Sequence, residues 1–190
     1  MRVLIVNSYD PADPERQVVA AARQALEANG NKVQCLALCE ARFDGYMSAE
    51  ERLAYETDEP LLTQETRASA KAIQAAEAVL FMYPMVLFGP PPRLKSWLER
   101  VLVPGVAFVF DRHQKVRPGL TNIKRLGVVT TTTHSRREIR RSRDLGYRIF
   151  MRTLRLNCNP LCQRTFVRIQ AGAPAGRTAD QLNRSLSRWR

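Results

Sequence analysis

Nowhere in the 190 residues does an apolar run approach the ~18 residues needed to cross a membrane. The opening apolar stretch, Val3 to Val6, meets Asn7 and Asp10 too soon to serve as a secretion signal, so a cytoplasmic protein without a membrane span is expected. Glycine is scarce, nine in all, and none falls in the loop after the first apolar run. That absence excludes a glycine-rich dinucleotide fingerprint and a phosphate-cradling P-loop, because both need backbone that no side chain obstructs. Cysteine is also sparse: four residues, spaced as Cys35/Cys39 and Cys158/Cys162. Such pairs suit structural zinc by spacing, but their apolar surroundings and lack of a turn glycine read as buried thiols, and no metal site is assigned. Lysine is missing altogether after residue 134.

What is present is ordinary in bulk, with 45% hydrophobic and 25% charged residues, enough for one well-buried domain over residues 1–190. The charge is not ordinary. The net value is +12, yet residues 1–134 hold 16 basic and 15 acidic side chains, whereas residues 135–190 hold 14 arginines and 3 acids. A one-sided field of this kind draws phosphates, nucleic acid or acidic lipid. No nucleic-acid motif or aromatic platform accompanies the arginines, so nucleic acid is not an expected partner.

Periodicity predicts alternating strands and helices. Val3 to Val6, Val33 to Leu38, Ala78 to Tyr83, Leu126 to Thr131 and Thr165 to Ile169 read as strands; the first and third are continuous apolar runs of the buried parallel type. Between them, Val18, Ala22, Ala25 and Leu26 form one helical stripe stopped by Asn29-Gly30. Leu94, Trp97, Leu98, Val101 and Leu102 form another, opened by prolines. Thr66 to Ala78 favours helix, an arginine-studded helix is expected over Arg143 to Leu156, and a final helix over Thr178 to Trp189. The pattern is that of an open, parallel, doubly wound α/β sheet, whose ligands bind beyond the carboxyl ends of the strands. Three loops therefore matter: 7–14, 83–92 and 130–136.

The second loop, Tyr83-Pro84-Met85-Val86-Leu87-Phe88-Gly89-Pro90-Pro91, is an apolar ledge on which a flat ring could lie, or an apolar cover for core or for a second subunit. From Tyr83 to Phe108, with Leu94-Lys95-Ser96-Trp97-Leu98-Glu99-Arg100-Val101-Leu102 and Pro104-Gly105-Val106-Ala107-Phe108, the chain closely resembles the signature of the flavodoxin-like NAD(P)H:quinone oxidoreductases. These include the modulator of drug activity B proteins and the ancillary flavoproteins of potassium-efflux systems. Met1 to Val6 and Leu38 to Asp44 are similar to further parts of that family, and the likeness covers residues 1–135 better than the arginine-rich part, 135–190.

The resemblance implies a three-layer α/β sandwich with a five-stranded parallel sheet in the order 2-1-3-4-5. It implies a flavin, read as FAD with FMN as the alternative, with NAD(P)H as electron donor, a quinone-type acceptor and a homodimer with Tyr46, Phe108 and Phe110 near the boundary. Matched to this sequence, the flavin ring falls on Pro84, Met85, Val86, Leu87 and Phe88 and on Thr131, Thr132 and Thr133, with Arg16 near its phosphates. Two departures stand out. The first loop carries Asp13 and Glu15 where the family offers hydroxyl groups, and Thr133-His134 replace a glycine pair. His134 is the candidate proton donor, since imidazole titrates in the useful range. A flavodoxin-fold regulatory or binding protein that has lost flavin is the second reading.

Overall fold

The computed structural model describes residues 1–40, 43, 45–55, 57 and 61–190. The strands are β1 (Arg2–Asn7), β2 (Lys32–Ala37), β3 (Ala78–Pro84), β4 (Phe108–Phe110), β5 (Val116–Pro118), β6 (Arg125–Thr132) and β7 (Gln163–Gln170). The helices are α1 (Gln17–Ala28), α2 (Ala49–Ala54), α3 (Gln64–Ala75), α4 (Pro92–Val101), α5 (Arg136–Ser142), α6 (Leu145–Arg148) and α7 (Ala175–Leu186). Five strands pair in parallel in the order β2-β1-β3-β6-β7, the expected 2-1-3-4-5 arrangement. β4 and β5 form a separate antiparallel hairpin.

The central strands β1, β3 and β6 are buried on both faces, which is why their sequences run apolar without alternation. One face packs around Phe81, Trp97 and Phe150, the other around Leu26, Met82 and Trp189. On the second face a side chain at Gly127 would stand 2.6 Å from the Trp189 ring, so β6 needs glycine there for the last turn of the chain to close over the sheet. Among the described residues no helix is long and apolar enough to cross a membrane.

Three features depart from the sequence-based expectation. The polar stretch after β2 contains α2, built on a capping box in which Ser48 Oγ accepts from Glu51 N and the Glu51 carboxylate accepts from Ser48 N. The same carboxylate receives Arg100 Nε of α4 at 3.0 Å, and Arg100 lies over the Phe43 ring, so a buried ion pair holds α2 against α4. Second, the helix expected over Arg143 to Leu156 begins only at Leu145 and is not a uniform α-helix. Arg143 and Asp144 both adopt positive φ, and Asp144 then caps α6 by accepting from Tyr147 N. The chain continues through one π turn and one 3₁₀ turn to Asn157. Third, the β4–β5 hairpin turns around Asp111, whose carboxylate accepts from His113 N and Lys115 N and pairs with Arg117. Ala41, Arg42 and Asp44, in the segment resembling the family after strand two, lie outside the described residues.

Candidate functional site

The ledge grows directly out of β3. Met85 N donates to Thr131 O, carrying the strand pairing one residue past Pro84. Val86 and Gly89 then exchange backbone hydrogen bonds at 3.0 and 2.9 Å, closing a two-residue turn with Leu87 (φ 47°) and Phe88 (φ 61°) at its tip. Positive φ at both tip positions belongs to a primed turn, normally made by Asn and Gly; leucine and phenylalanine there cost about 1 kcal/mol each. The strain persists because the surroundings hold the turn. Phe88 O accepts from Gly146 N, and the Phe88 ring stacks on His134 with centroids 4.2 Å apart. Leu87 is left 83% exposed at the tip, a large apolar side chain in water on a rigid support.

The three expected loops meet. Tyr9, fully buried, donates its hydroxyl to Thr131 Oγ1 at 3.1 Å and accepts from Thr131 N at 3.2 Å, while Thr131 O holds Met85. Burial pushes the Tyr9 phenol well above its ordinary pKa, against the pull of the Thr131 bonds, so it stays a neutral cross-tie. Thr132 Oγ1 accepts from His134 N, and Thr133 is exposed. Pro84 thus pairs with Thr131, Met85 is tied to the same residue, and Phe88 stacks on His134, so the ledge and the loop after β6 are joined at one edge. Arg16 lies away from them, paired with Glu40 at 2.6 Å.

Beneath the ledge Tyr83 is buried, its hydroxyl without a hydrogen-bond partner among the described residues. Burial, reinforced by the nearby Asp144 carboxylate, raises its pKa and keeps its proton in place. A side chain on Gly146 would stand 2.3 Å from that hydroxyl, so glycine is what lets α6 settle on Tyr83. The buried Asp144 pairs with Arg168 of β7, Nε at 2.8 Å, and Arg168 lies over the Phe166 ring.

Two cavities flank this edge. One, about 680 Å³, lies by the first loop and includes Ser8, Asp10, Asp13, Cys39 and Pro84; three carboxylates line it against two cations. The other, about 920 Å³, lies between α5, the end of β7 and the start of α7; five arginines line it against one carboxylate, and His134 forms part of its wall.

This is the geometry of an open parallel α/β protein with an exposed apolar ledge at the strand ends. The chain belongs to the flavodoxin-like fold family, whose model matches residues 1–172. It is similar to NAD(P)H dehydrogenase [quinone] 1 of Rattus norvegicus, 39% identical over 82 residues, which is 43% of this chain and 29% of that protein. To the protein of the same name from Cavia porcellus it is 30% identical over 105 residues, 47% of this chain and 38% of that one. The match therefore spans well under half the length of either relative. Among solved structures, the NAD(P)H:quinone oxidoreductase from Methanothermobacter marburgensis superposes with a TM-score of 0.81 at 19% identity, covering 100% of this chain and 99% of that one. An FMN-dependent NADH-azoreductase from Bacillus anthracis in complex with FMN superposes at 0.71 and 14% identity, covering 100% and 99%. At these identities the superpositions show the fold.

Sequence reasoning gave Tyr9 and the Tyr83 hydroxyl no role and missed the Asp144–Arg168 pair. Tyr9 stood in a loop already singled out, beside more conspicuous acids. The pair joins residues 24 apart and carries no local signal.

Proposed function

We propose that this chain is a flavin-dependent NAD(P)H:quinone-type oxidoreductase, with residues 1–190 acting as one domain. The observation carrying this reading is the strained turn that presents Val86 and Leu87 to solvent opposite Thr131–His134. An exposed apolar shelf on a rigid frame is suited to cover one face of a planar ring and leave the other free. The names of the similar proteins point the same way. The ring portion of a flavin fits this edge. A flavin phosphate does not fit the first loop, where Asp13 Oδ1 already accepts from Glu15 N and Asp10 Oδ1 from Ala12 N.

A bound flavin would supply the two-electron redox chemistry that links hydride donation by NAD(P)H to reduction of a quinone with uptake of two protons. In this proposal Pro84, Met85, Val86, Leu87 and Phe88 hold one face and edge of the ring and Thr131, Thr132 and Thr133 the other edge. His134, fixed by Phe88 and Thr132, supplies a proton to the acceptor. The flavin is read as FAD, with FMN as the alternative. The protein is placed in the cytoplasm as a homodimer through the apolar hairpin face, where Val109 and Val116 are exposed beside Phe108 and Phe110.

The test is the visible absorption spectrum of the purified chain mixed with FAD or FMN. A bound yellow chromophore, bleached by NAD(P)H and restored by a quinone, is the expected result. A protein that stays colourless with no saturable flavin uptake supports the flavin-free binding module instead.

A further inference from the structure

We infer that the arginine-lined pocket between α5, β7 and α7 is this chain's nucleotide-phosphate site. It takes the phosphate groups of a nucleotide whose ring rests on the neighbouring ledge. The inference rests on the proposed function for the ring's position, and on the pocket itself for the phosphates.

Arg136 and Arg140 project from α5, Arg143 follows its end, and Arg177 stands in the first turn of α7. None of the four makes an ion pair among the described residues, whereas Arg168, the fifth, is neutralised by Asp144. Like charges gathered without counterions repel one another, and the pocket is most stable when an anion joins them. Guanidinium groups bind phosphate oxygens in pairs, and four of them match more than one phosphate. α7 begins at the rim with Pro174 as its cap, no side chain accepting from its first amides and no acid in its first turn. The wall shared with His134 places the pocket beside the ledge rather than across the molecule. Arg137, equal in charge and next in sequence to Arg136, does not line the pocket. The alternative place for phosphates, the first loop, presents Asp10, Asp13 and Glu15, and Glu15 accepts from Gly172 N, so a carboxylate separates that loop from the pocket.

Two sources share this chemistry, the flavin's own phosphates and the phosphorylated adenosine end of NADPH. The experiment titrates the full-length chain with adenosine 2′,5′-bisphosphate, with adenosine, and with sulfate, for the wild type, Arg140→Glu/Arg177→Glu and Arg137→Glu. Both reversed arginines of the double variant are exposed, and thermal melts verify its fold. Saturable binding of the bisphosphate, much weaker binding of adenosine and steep weakening by salt are expected. The double reversal should weaken the bisphosphate about a hundredfold, roughly tenfold for each charged contact, with Arg137→Glu unchanged. In parallel, a fall in the KM preference for NADPH over NADH in the double variant assigns the pocket to the dinucleotide. A fall in the affinity ratio of FMN to riboflavin assigns it to the flavin, and either result supports the site. Bisphosphate binding that survives the double reversal, that is lost equally in Arg137→Glu, or that sulfate matches in strength overturns it. A chain that binds the bisphosphate but takes up no flavin removes the oxidoreductase reading and leaves the pocket standing.

Discussion

In the 3₁₀ turn over residues 14–16 that leads into α1, Asp13 accepts from Glu15 N, Pro14 fills the first position, and Asp10 holds Ala12 N. At the start of α7, Pro174 leaves the first amides uncapped and an arginine pocket surrounds them. The two loops sit at the same edge of one sheet, bridged by the Glu15–Gly172 hydrogen bond, and they would treat an incoming anion in opposite ways. A helix start attracts negative charge through its unpaired N–H groups; supplying that charge from the chain itself closes the site, and withholding it keeps the site open. The contrast also orders the basic charge of the chain. Five of the fourteen arginines after residue 134 line the pocket at the uncapped helix start, and the acids of the first loop lie on its other side.

The largest expected effect comes from the frame of the arginine pocket. Asp144→Ala removes the counterion of Arg168, the cap of α6 and the charge facing Tyr83. It should cost about 2–3 kcal/mol, the partial hydration of Arg168 keeping it below the range for fully buried pairs, and lower Tm by roughly 5–10 °C in thermal denaturation. An unchanged Tm would mean that the pair does not fix β7 against α6. A smaller effect is expected at the first loop. Asp13→Ser keeps an oxygen to cap Glu15 N but removes the charge, so stability should stay within about 0.5 kcal/mol. FMN affinity should rise about two- to fivefold if phosphates approach that loop, and fluorescence titration reads the difference. No change would leave the phosphates wholly to the arginine pocket.

The smallest effect is on pH dependence. Hydrogen bonds from the Ser135 side chain and backbone N–H hold the Glu138 carboxyl below its ordinary pKa. A lowered folded-state pKa means that this contribution is fully present above the ordinary carboxylate pKa and is lost as pH falls through the folded value. The first turn of α5 should therefore lose amide-exchange protection in acid, while the start of α7, with no acid in its first turn, should not respond. Equal loss at both ends would break the contrast.

Much of the architecture could be read in advance because its signals are local. β1 and β3 carry uninterrupted apolar runs, α4 is a clean stripe, and each is buried as its pattern requires. The Ser48–Glu51 box that starts α2 was equally local, but six residues of helix are too short for periodicity to show. The break at Arg143–Asp144 was hidden for another reason. Nothing in a run of arginines says that an aspartate will turn inward, and it does so because Arg168, on a strand formed later in the chain, waits for it. At the candidate site the ledge residues were legible as an apolar run between prolines. Their strained turn, the Phe88–His134 stack and the Tyr9–Thr131–Met85 tie appear only when three loops are brought together.

The sequence by itself determined the parallel sheet, its order through the family signature, and the presence of an apolar ledge and a basic C-terminal third, since each depends on neighbours in the chain. Only the tertiary structure decided where the charges act. It paired Arg16 with Glu40, neutralised Arg168 with Asp144, and left Arg136, Arg140, Arg143 and Arg177 around one cavity, because the field at any point depends on distances that chain order does not contain.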